Sequence, residues 1–290
     1  MFNGALTAIV TPFRDGEVDQ QALRELVEFQ IQGGVDGLVP CGSTGESATL
    51  THSEHEQVIK IVIQQARRRV PVVAGTGSNS TAEAIRFTAS AREAGADGAL
   101  LISPYYNKPT QDGIFRHYKM IAAAVDLPLI VYNIPGRTSS NIAPETFARL
   151  SEIRNIVGIK EASGSMDQIS DIRRLCGDRL TILSGDDSLT LPLMSLGGKG
   201  VVATVSNVMP RETHELAAAA LAGDYARARD LHYKLLPLVR ALFVETNPIP
   251  VKQALAFMGK CTAEMRMPLV QMSPRPAEKL HAVMKEMRLI

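Results

Sequence analysis

A single lysine at the end of an apolar stretch carries the strongest chemical signal in the sequence. Residues 155–164 read NIVGIKEASG, so that apolar and β-branched residues lead directly to Lys160. This pattern predicts a short buried strand that ends on an ammonium group. Burial disfavours the charged form of lysine, so this amine could be neutral near neutral pH and attack a carbonyl to form a Schiff base. A lysine that simply extends into solvent is the alternative, and other polar groups must converge on Lys160 to exclude it.

The elements that would position this lysine alternate between apolar runs and amphipathic segments. Eight strands are predicted, over residues 5–11, 37–41, 70–75, 98–103, 128–132, 156–160, 180–184 and 201–205. Paired glycines precede three of them, at 34–37, 95–98 and 197–200, and glycine ends a helix in the left-handed conformation at little cost. Eight βα units predict a parallel (β/α)8 barrel, the TIM-barrel architecture. An open doubly wound sheet fits less well, because no G-x-G-x-x-G follows the first strand.

The pattern becomes purely helical after residue 205. Amphipathic segments fall at about 211–221, 225–244, 250–258 and 276–287, with no intervening strand signal. This tail is too short and too helical for a second α/β domain. The sequence therefore predicts a barrel over residues 1–208 and a C-terminal all-helical extension over residues 209–290.

Composition and charge restrict the class of partner. The 290 residues are 45% hydrophobic and 21% charged, with a formal charge of +1, so no strong field attracts nucleic acid or an anionic membrane. A small-molecule partner is expected. Neither an export signal nor a membrane-spanning run is recognised. Cys41, Cys176 and Cys261 are widely spaced, which favours reduced thiols in a cytoplasmic protein and argues against a metal site.

Active sites of such barrels lie where the strands end, so the residues that follow each apolar run are the candidates for function. A glycine and hydroxyl loop at 42–47 could offer backbone N–H groups to a carboxylate, although many such loops are ordinary turns. Tyr132 ends the strand before that of Lys160, so its hydroxyl could exchange protons with the amine. Arg137 would be a carboxylate clamp if it lies above the lysine. Asp186 and Asp187 more naturally cap the following helix.

These residues form an ordered series of motifs that resembles the dihydrodipicolinate synthase family of pyruvate-dependent class I aldolases, within the N-acetylneuraminate lyase superfamily. The resemblance runs over essentially the whole chain. It is carried by Gly42-Ser43-Thr44-Gly45-Glu46, Tyr105-Tyr106-Asn107, Tyr132-Asn133-Ile134-Pro135-Gly136-Arg137-Thr138, Gly158-Ile159-Lys160-Glu161, Ser184-Gly185-Asp186-Asp187 and Asn247-Pro248-Ile249-Pro250-Val251-Lys252.

The resemblance implies a lyase that condenses pyruvate with L-aspartate 4-semialdehyde to 4-hydroxy-tetrahydrodipicolinate, in the diaminopimelate route of lysine biosynthesis. Lys160 would form the Schiff base, and no metal or organic cofactor would be needed. The implied proton relay is Tyr132, Thr44 and Tyr106, with Tyr106 supplied by a neighbouring subunit of a homotetramer. Pyruvate would be held by Ser43, Thr44, Gly185 and Val202, and the semialdehyde carboxylate by Arg137.

Two alternatives stay open at this stage. N-acetylneuraminate lyase and the 2-keto-3-deoxy sugar acid aldolases share the barrel, the lysine and the loop, although Arg137 suits a small substrate with its own carboxylate better than a polyol. A non-catalytic sensor of oxo acids would be expected to lack the lysine or the relay hydroxyls, which are all present.

A second, regulatory site is also implied by the resemblance. The residues matching those with which feedback-sensitive family members bind L-lysine are Ser47, Ala48, His52, His55, Asn79, Glu83 and Tyr105. Without the family resemblance, His52 and His55 are typical of the solvated start of a helix. Asn79 and Glu83 are then typical of a helix cap and of an acidic residue in the first turn. L-lysine is therefore expected to be an allosteric feedback inhibitor.

Overall fold

Eight parallel strands form the centre of the molecule in a computed structural model that describes residues 2–290. Hydrogen-bonded neighbours follow the order β2-β1-β8-β7-β6-β5-β4-β3, and a bridge between Leu38 and Val72 joins the two ends of this series. The predicted (β/α)8 barrel is therefore confirmed. The strands are β1 Gly4–Ala8, β2 Gly37–Val39, β3 Val73–Gly75, β4 Gly98–Ile102, β5 Leu129–Asn133, β6 Ile156–Glu161, β7 Thr181–Ser184 and β8 Gly200–Ala203.

Helices connect the strands and continue after the last one. A small antiparallel hairpin, Phe13–Arg14 with Glu17–Val18, lies between β1 and the first helix. The helices are α1 Gln20–Gln32, α2 His52–Ala66, α3 Thr81–Ala94, α4 Gln111–Ala124, α5 Pro135–Thr138, α6 Pro144–Leu150, α7 Met166–Cys176, α8 Thr190–Ser195, α9 Pro210–Leu221, α10 Tyr225–Ala241, α11 Ile249–Phe257 and α12 Pro274–Glu286.

Local capping sets many of these boundaries. The side chains of Thr51 and Ser80 accept hydrogen bonds from backbone N–H groups in the first turns of α2 and α3. At the other end, Gly34, Gly95 and Gly197 adopt the expected left-handed conformation, with φ of 84°, 93° and 93°. Helix α3, for example, begins directly after Ser80 and ends directly before Gly95.

Several strand ends differ from the sequence prediction, and at two of them the structure shows the reason. The run over 201–205 was expected to be a strand throughout, but β8 stops at Ala203 because the N–H groups of Thr204 and Val205 donate to the carboxylate of Asp187. The run over 5–11 stops at Ala8, and the N–H of Val10 donates to Oδ1 of Asn207 at 3.2 Å. In both places a buried side chain replaces the ladder partner, which the apolar pattern alone does not reveal.

The barrel interior is filled by inward-facing side chains from its strands. They are buried and form one cluster, namely Leu6, Ala8, Val39, Val73, Leu100, Ile130, Tyr132, Leu183 and Val202. Larger clusters fill the layer between strands and helices. Because Tyr132 is the polar member of the inner cluster, the packing that closes the barrel also positions a phenol at its carboxyl end.

The helices after β8 pack against the barrel and against one another. Helix α9 contacts β1 and β8, so it covers the barrel although it lies beyond residue 208. Helix α10 contacts α9 and α12, and α11 contacts α12. The division at residues 208 and 209 stays a prediction. Across residues 2–290, none of the helices combines the length and apolar character that crossing a membrane requires.

Candidate active site

Lys160 lies buried inside the carboxyl end of the barrel, as its strand pattern predicts. It is only 6% exposed and is in register with Tyr132 on β5 and with Leu183 on β7. Its Nζ lies 4.3 Å from the centroid of the Tyr132 ring. The small size of Gly185 makes this possible, because a Cβ there would lie 3.0 Å from Cε and 3.1 Å from Cγ of Lys160. The lysine that simply extends into solvent is therefore excluded.

The surroundings of Lys160 favour its neutral form. Burial lowers the pKa of the amine from 10.5 to about 8, and the nearby charge of Arg137 acts in the same direction, while Asp187 opposes both. No carboxylate within residues 2–290 lies within 4.0 Å of Nζ to hold it as an ammonium. A substantial fraction of this amine is therefore nucleophilic near neutral pH.

Burial favours the neutral form of Tyr132 as well, but in a phenol this is the form that carries the proton. Its side chain is 5% exposed, and burial raises the pKa of the phenol well above its usual value, while Arg137 and a hydrogen bond with the Ser43 hydroxyl act the other way. The phenol therefore keeps its proton at neutral pH. A protonated phenol against a partly neutral amine can serve as the proton donor for chemistry at that amine.

The loop after β2 presents two backbone donors in this region. The N–H groups of Gly45 and Glu46 donate back to the carbonyls of Gly42 and Ser43. Within the part of the chain described here, the N–H groups of Ser43 and Thr44 have no protein acceptor. Unpaired adjacent N–H groups form a concave site for an anion. The loop therefore has the donors that a substrate carboxylate would require.

Thr44 and Arg137 meet at a third residue that the sequence reasoning gave no role. Nδ2 of Asn247 donates to Oγ1 of Thr44 at 2.9 Å, and Nη2 of Arg137 donates to the carbonyl oxygen of Asn247, also at 2.9 Å. Asn247 comes from the segment before α11, about 200 residues from Thr44 in sequence. Its motif was recognised, but contacts across such a distance leave no local signal.

Gly185 and Val202 lie close to Lys160 but differ in what they offer. The N–H of Gly185 already donates to the carbonyl of Glu161 at 2.8 Å, so it is not available to a substrate carboxylate. Val202 faces the barrel interior as part of the inner apolar cluster. Their contribution is the shape and apolar character of the space beside the lysine.

Asp187 is a functional candidate that the sequence reasoning placed elsewhere. Asp186 does cap the short helical turn that follows, accepting from the N–H of Ser188 at 2.8 Å. Asp187 instead accepts from the N–H groups of Thr204 and Val205, at 3.1 and 2.9 Å. Burial raises its pKa to about 7, so this carboxylate is a weak counter-charge for Lys160. The sequence of two adjacent aspartates does not indicate which of them points into the barrel.

A cavity of about 460 Å³ joins this site to the expected effector site. Ser43, Tyr132 and Arg137 line it. Six of the seven residues expected for lysine binding line it as well, namely Ser47, Ala48, His52, His55, Glu83 and Tyr105. The seventh, Asn79, donates from Nδ2 to the carbonyl of Tyr105 at 3.2 Å. The fold thus brings the seven residues together although they are spread over 59 positions of sequence.

The polar groups of this second region are well defined. Glu83 contacts Nε2 of His52 at 2.9 Å, and its pKa is lowered by a hydrogen bond from Ser78 and by His52, so it is a carboxylate at neutral pH. His55 is stacked on Phe87, and burial lowers its pKa to about 4. Nδ1 of His55 is buried without a partner within residues 2–290. A carboxylate beside a neutral histidine suits a cationic ligand.

Tyr106, the third residue of the implied relay, is exposed to solvent within its own chain. It is 88% exposed and does not line the cavity, and its φ is 71°. A large side chain in the left-handed region is uncommon. Its role in the site stays a prediction that depends on a second subunit.

A partly neutral lysine, a protonated phenol and free N–H donors at the carboxyl end of a (β/α)8 barrel define the class of Schiff-base-forming barrel enzymes. Comparison with known proteins specifies the family. The sequence model of the dihydrodipicolinate synthetase family matches residues 1–287. The 4-hydroxy-tetrahydrodipicolinate synthase of Syntrophus aciditrophicus is 59% identical over 290 residues, which is all of both chains. The chain belongs to the dihydrodipicolinate synthetase family and is a lyase.

Solved structures with the same fold support this family assignment. The dihydrodipicolinate synthase of Aquifex aeolicus superposes with a TM-score of 0.98 at 52% identity, covering 99% of each chain. That of Acinetobacter baumannii, complexed with pyruvate, has a TM-score of 0.98 at 45% identity over all of both chains. That of Cyanidioschyzon merolae, with lysine bound, has a TM-score of 0.97 at 41% identity, covering 100% of this chain and 99% of the other.

Proposed function

We propose that the protein condenses pyruvate with L-aspartate 4-semialdehyde to give 4-hydroxy-tetrahydrodipicolinate, in the diaminopimelate route of lysine biosynthesis. The observation that carries this proposal is the buried amine of Lys160 beside Tyr132, with a pKa of about 8. Family membership and the shared name of the similar curated proteins support the choice of reaction.

The first step is attack of neutral Lys160 on the ketone carbon of pyruvate. The C–N bond forms, the carbonyl oxygen takes up one proton from the amine and a second from a donor, and the C–O bond breaks as water leaves to give an iminium. Tyr132 lies against the amine and is protonated at neutral pH, so it can supply a proton. The free N–H groups of Ser43 and Thr44 would hold the pyruvate carboxylate during this step.

The iminium then makes the methyl group of pyruvate acidic. Loss of a methyl proton gives an enamine, whose carbon attacks the aldehyde of the second substrate to form the new C–C bond. Arg137 lines the cavity and would hold the carboxylate of the semialdehyde by paired hydrogen bonds. The amine of the bound product can then displace Lys160 from the iminium carbon, which closes the ring and frees the enzyme.

Steady-state turnover with different substrates tests the proposal. The protein is expected to consume pyruvate only when aspartate semialdehyde is supplied. Arg137→Met should raise the KM for the semialdehyde far more than that for pyruvate, because only the former carboxylate is assigned to the guanidinium. Cleavage of N-acetylneuraminate or of a 2-keto-3-deoxy sugar acid, without semialdehyde turnover, would move the assignment to those alternatives.

We also propose that L-lysine is a feedback inhibitor that binds at the far end of the cavity. Glu83 offers a carboxylate to an ammonium group, and the pocket is continuous with the cavity that Tyr132 lines. The lysine-bound relative supports this choice of effector. Glu83→Gln should weaken inhibition about tenfold or more without changing turnover in the absence of lysine. Glu56→Gln, an exposed carboxylate paired with Arg86, is the matched control. Unchanged turnover of the unsubstituted protein in millimolar lysine would overturn the proposal.

The assembly we propose is a homotetramer in the cytoplasm, in which Tyr106 completes the relay of a neighbouring subunit. The exposed position of Tyr106 supports the intersubunit role, and the three free thiols support a reducing compartment. Analytical ultracentrifugation at micromolar concentration checks the assembly. A monomer with full activity would contradict the role of Tyr106.

A further inference from the structure

The helical tail contributes several residues to the lining of the active-site cavity, and Asn247 is one of them. Asn247 is 7% exposed and lines the cavity together with Tyr132 and Arg137. It is the residue through which Thr44 of the loop after β2 and Arg137 of the loop after β5 are connected. Neither the motif series nor the family's name assigns it a task.

The side chain of Asn247 determines how the hydroxyl of Thr44 can act. An amide nitrogen can only donate, so the bond from Nδ2 makes Oγ1 of Thr44 the acceptor. The single hydroxyl hydrogen of Thr44 is then left for another partner. In a proton relay a hydroxyl must donate toward the next member while it accepts from the one before. The amide therefore keeps the hydroxyl hydrogen of Thr44 free to be donated within the relay.

The backbone of Asn247 has a separate effect on Arg137. Its carbonyl accepts one N–H of the guanidinium at 2.9 Å, which holds the side chain at the cavity. The guanidinium has five N–H donors in a fixed plane, so the others stay available for a carboxylate. Holding a long side chain before the substrate arrives reduces the entropy lost when the substrate binds.

We propose that Asn247 is a positioning residue of the reaction, which directs the Thr44 hydroxyl through its amide and holds Arg137 through its carbonyl. This inference rests on the proposed condensation and on the relay role of Thr44. It makes the C-terminal extension part of the active site. Substitutions of the Asn247 side chain should remove the contact with the Thr44 hydroxyl and leave the contact of the backbone carbonyl with Arg137 in place.

The test compares Asn247→Ala and Asn247→Asp by kcat and KM for both substrates. Alanine removes the donor, and aspartate has the same shape but only accepts, so it would draw the Thr44 hydrogen toward itself. Both variants should lower kcat by about 10- to 100-fold. The KM for pyruvate should change less than about twofold, because the free N–H groups of Ser43 and Thr44 are untouched. Full kcat in Asn247→Asp would overturn the proposal.

A double-mutant cycle with Thr44→Val separates positioning from general loss of structure. If Asn247 acts through the Thr44 hydroxyl, Asn247→Ala should lower kcat no further once that hydroxyl is absent. An equal fall in both backgrounds would mean a merely structural role and would refute the inference. Failure of the unsubstituted protein to condense the two substrates would instead refute the proposed function.

A matched control comes from the opposite end of the barrel. Asn155 is a partly buried asparagine whose Nδ2 donates to the carbonyls of Ala122 and Val125, both at 3.0 Å. Asn155→Ala removes comparable hydrogen bonds far from Lys160. It should lower the unfolding midpoint while leaving kcat unchanged, which would show that the loss in the Asn247 variants is not a consequence of reduced stability.

Discussion

The two buried lysines of this protein have nearly the same local surroundings and opposite roles. Lys160 lies 4.3 Å from the ring centroid of Tyr132, and Lys252 lies 4.2 Å from that of Phe13. Burial lowers the pKa of both. Lys252, however, pairs with the equally buried Glu46 at 2.6 Å, whereas no carboxylate in residues 2–290 lies within 4.0 Å of Lys160. The counter-charge, and not the depth of burial, separates the structural amine from the reactive one.

The two lysines are also connected in the structure. Glu46 ends the loop that contains Ser43 and Thr44, whose N–H groups have no acceptor within residues 2–290, and Lys252 belongs to α11 of the tail. The backbone N–H of Arg266 also donates to Glu46, at 3.3 Å. The structural pair therefore holds in place the loop that we propose binds the pyruvate carboxylate.

The largest expected effect is the loss of turnover in Lys160→Met. Without the amine no iminium can form, so turnover should fall by about 10³-fold or more. The measurement is steady-state condensation of pyruvate with aspartate semialdehyde. Lys234→Met, an exposed lysine on α10, is the matched control and should keep its activity. A Lys160→Met variant that keeps a tenth of its turnover would remove the distinction between the two lysines.

Lys252→Met should affect stability more than any other single lysine substitution. It leaves the carboxylate of Glu46 buried without its partner, which costs about 3–5 kcal/mol of unfolding free energy. Urea unfolding measures this cost. The double variant Glu46→Gln/Lys252→Met removes both charges and should recover most of it. If the single variant is as stable as the unsubstituted protein, the pair does not have the structural role assigned to it.

Lys160→Met should stabilise the fold, in contrast to Lys252→Met. The pKa of Lys160 is lower in the folded chain, so the unfolded chain binds more protons between about pH 8 and 10.5 and the unfolding free energy rises with pH over that range. Below pH 8 the charged amine costs up to about 3 kcal/mol. The substitution should therefore raise unfolding free energy by about 1–3 kcal/mol at pH 7 and much less at pH 10. A stability difference that does not change with pH would contradict this.

The smallest effect is on the pH dependence of Schiff-base formation. With a pKa of about 8, about a tenth of the Lys160 amine is neutral at pH 7 and about nine tenths at pH 9. The initial rate of adduct formation with pyruvate should rise accordingly. Arg137→Gln should move the midpoint upward by a few tenths of a pH unit, because the guanidinium charge helps to lower the pKa. A rate that is flat from pH 7 to 9 would show that amine neutralisation is not limiting.

Much of this arrangement could be predicted from the sequence because it follows from strand order. Lys160 and Tyr132 end consecutive strands, and consecutive strands of a barrel are neighbours, so their proximity needed no long-range information. The glycine-ended helices and the loop after β2 were likewise recognisable from local patterns.

The remaining features depend on contacts that no local pattern encodes. Lys252 and Glu46 are separated by 206 positions, and Asn247 and Thr44 by 203. Whether a polar residue in the tail pairs with the barrel depends on how α11 packs, which apolar periodicity leaves open. The inward orientation of Asp187 could not be predicted either. The N–H groups of Thr204 and Val205, which donate to its carboxylate, become available only where β8 stops.

The central claim is that Lys160, and not Lys252 or any other lysine, forms the covalent adduct with pyruvate. Incubation with pyruvate and borohydride, followed by peptide mass spectrometry, tests it most directly. The account predicts one adduct per chain, located at Lys160 and absent from Lys160→Met. An adduct on another lysine, or none on the unsubstituted protein, would contradict the account.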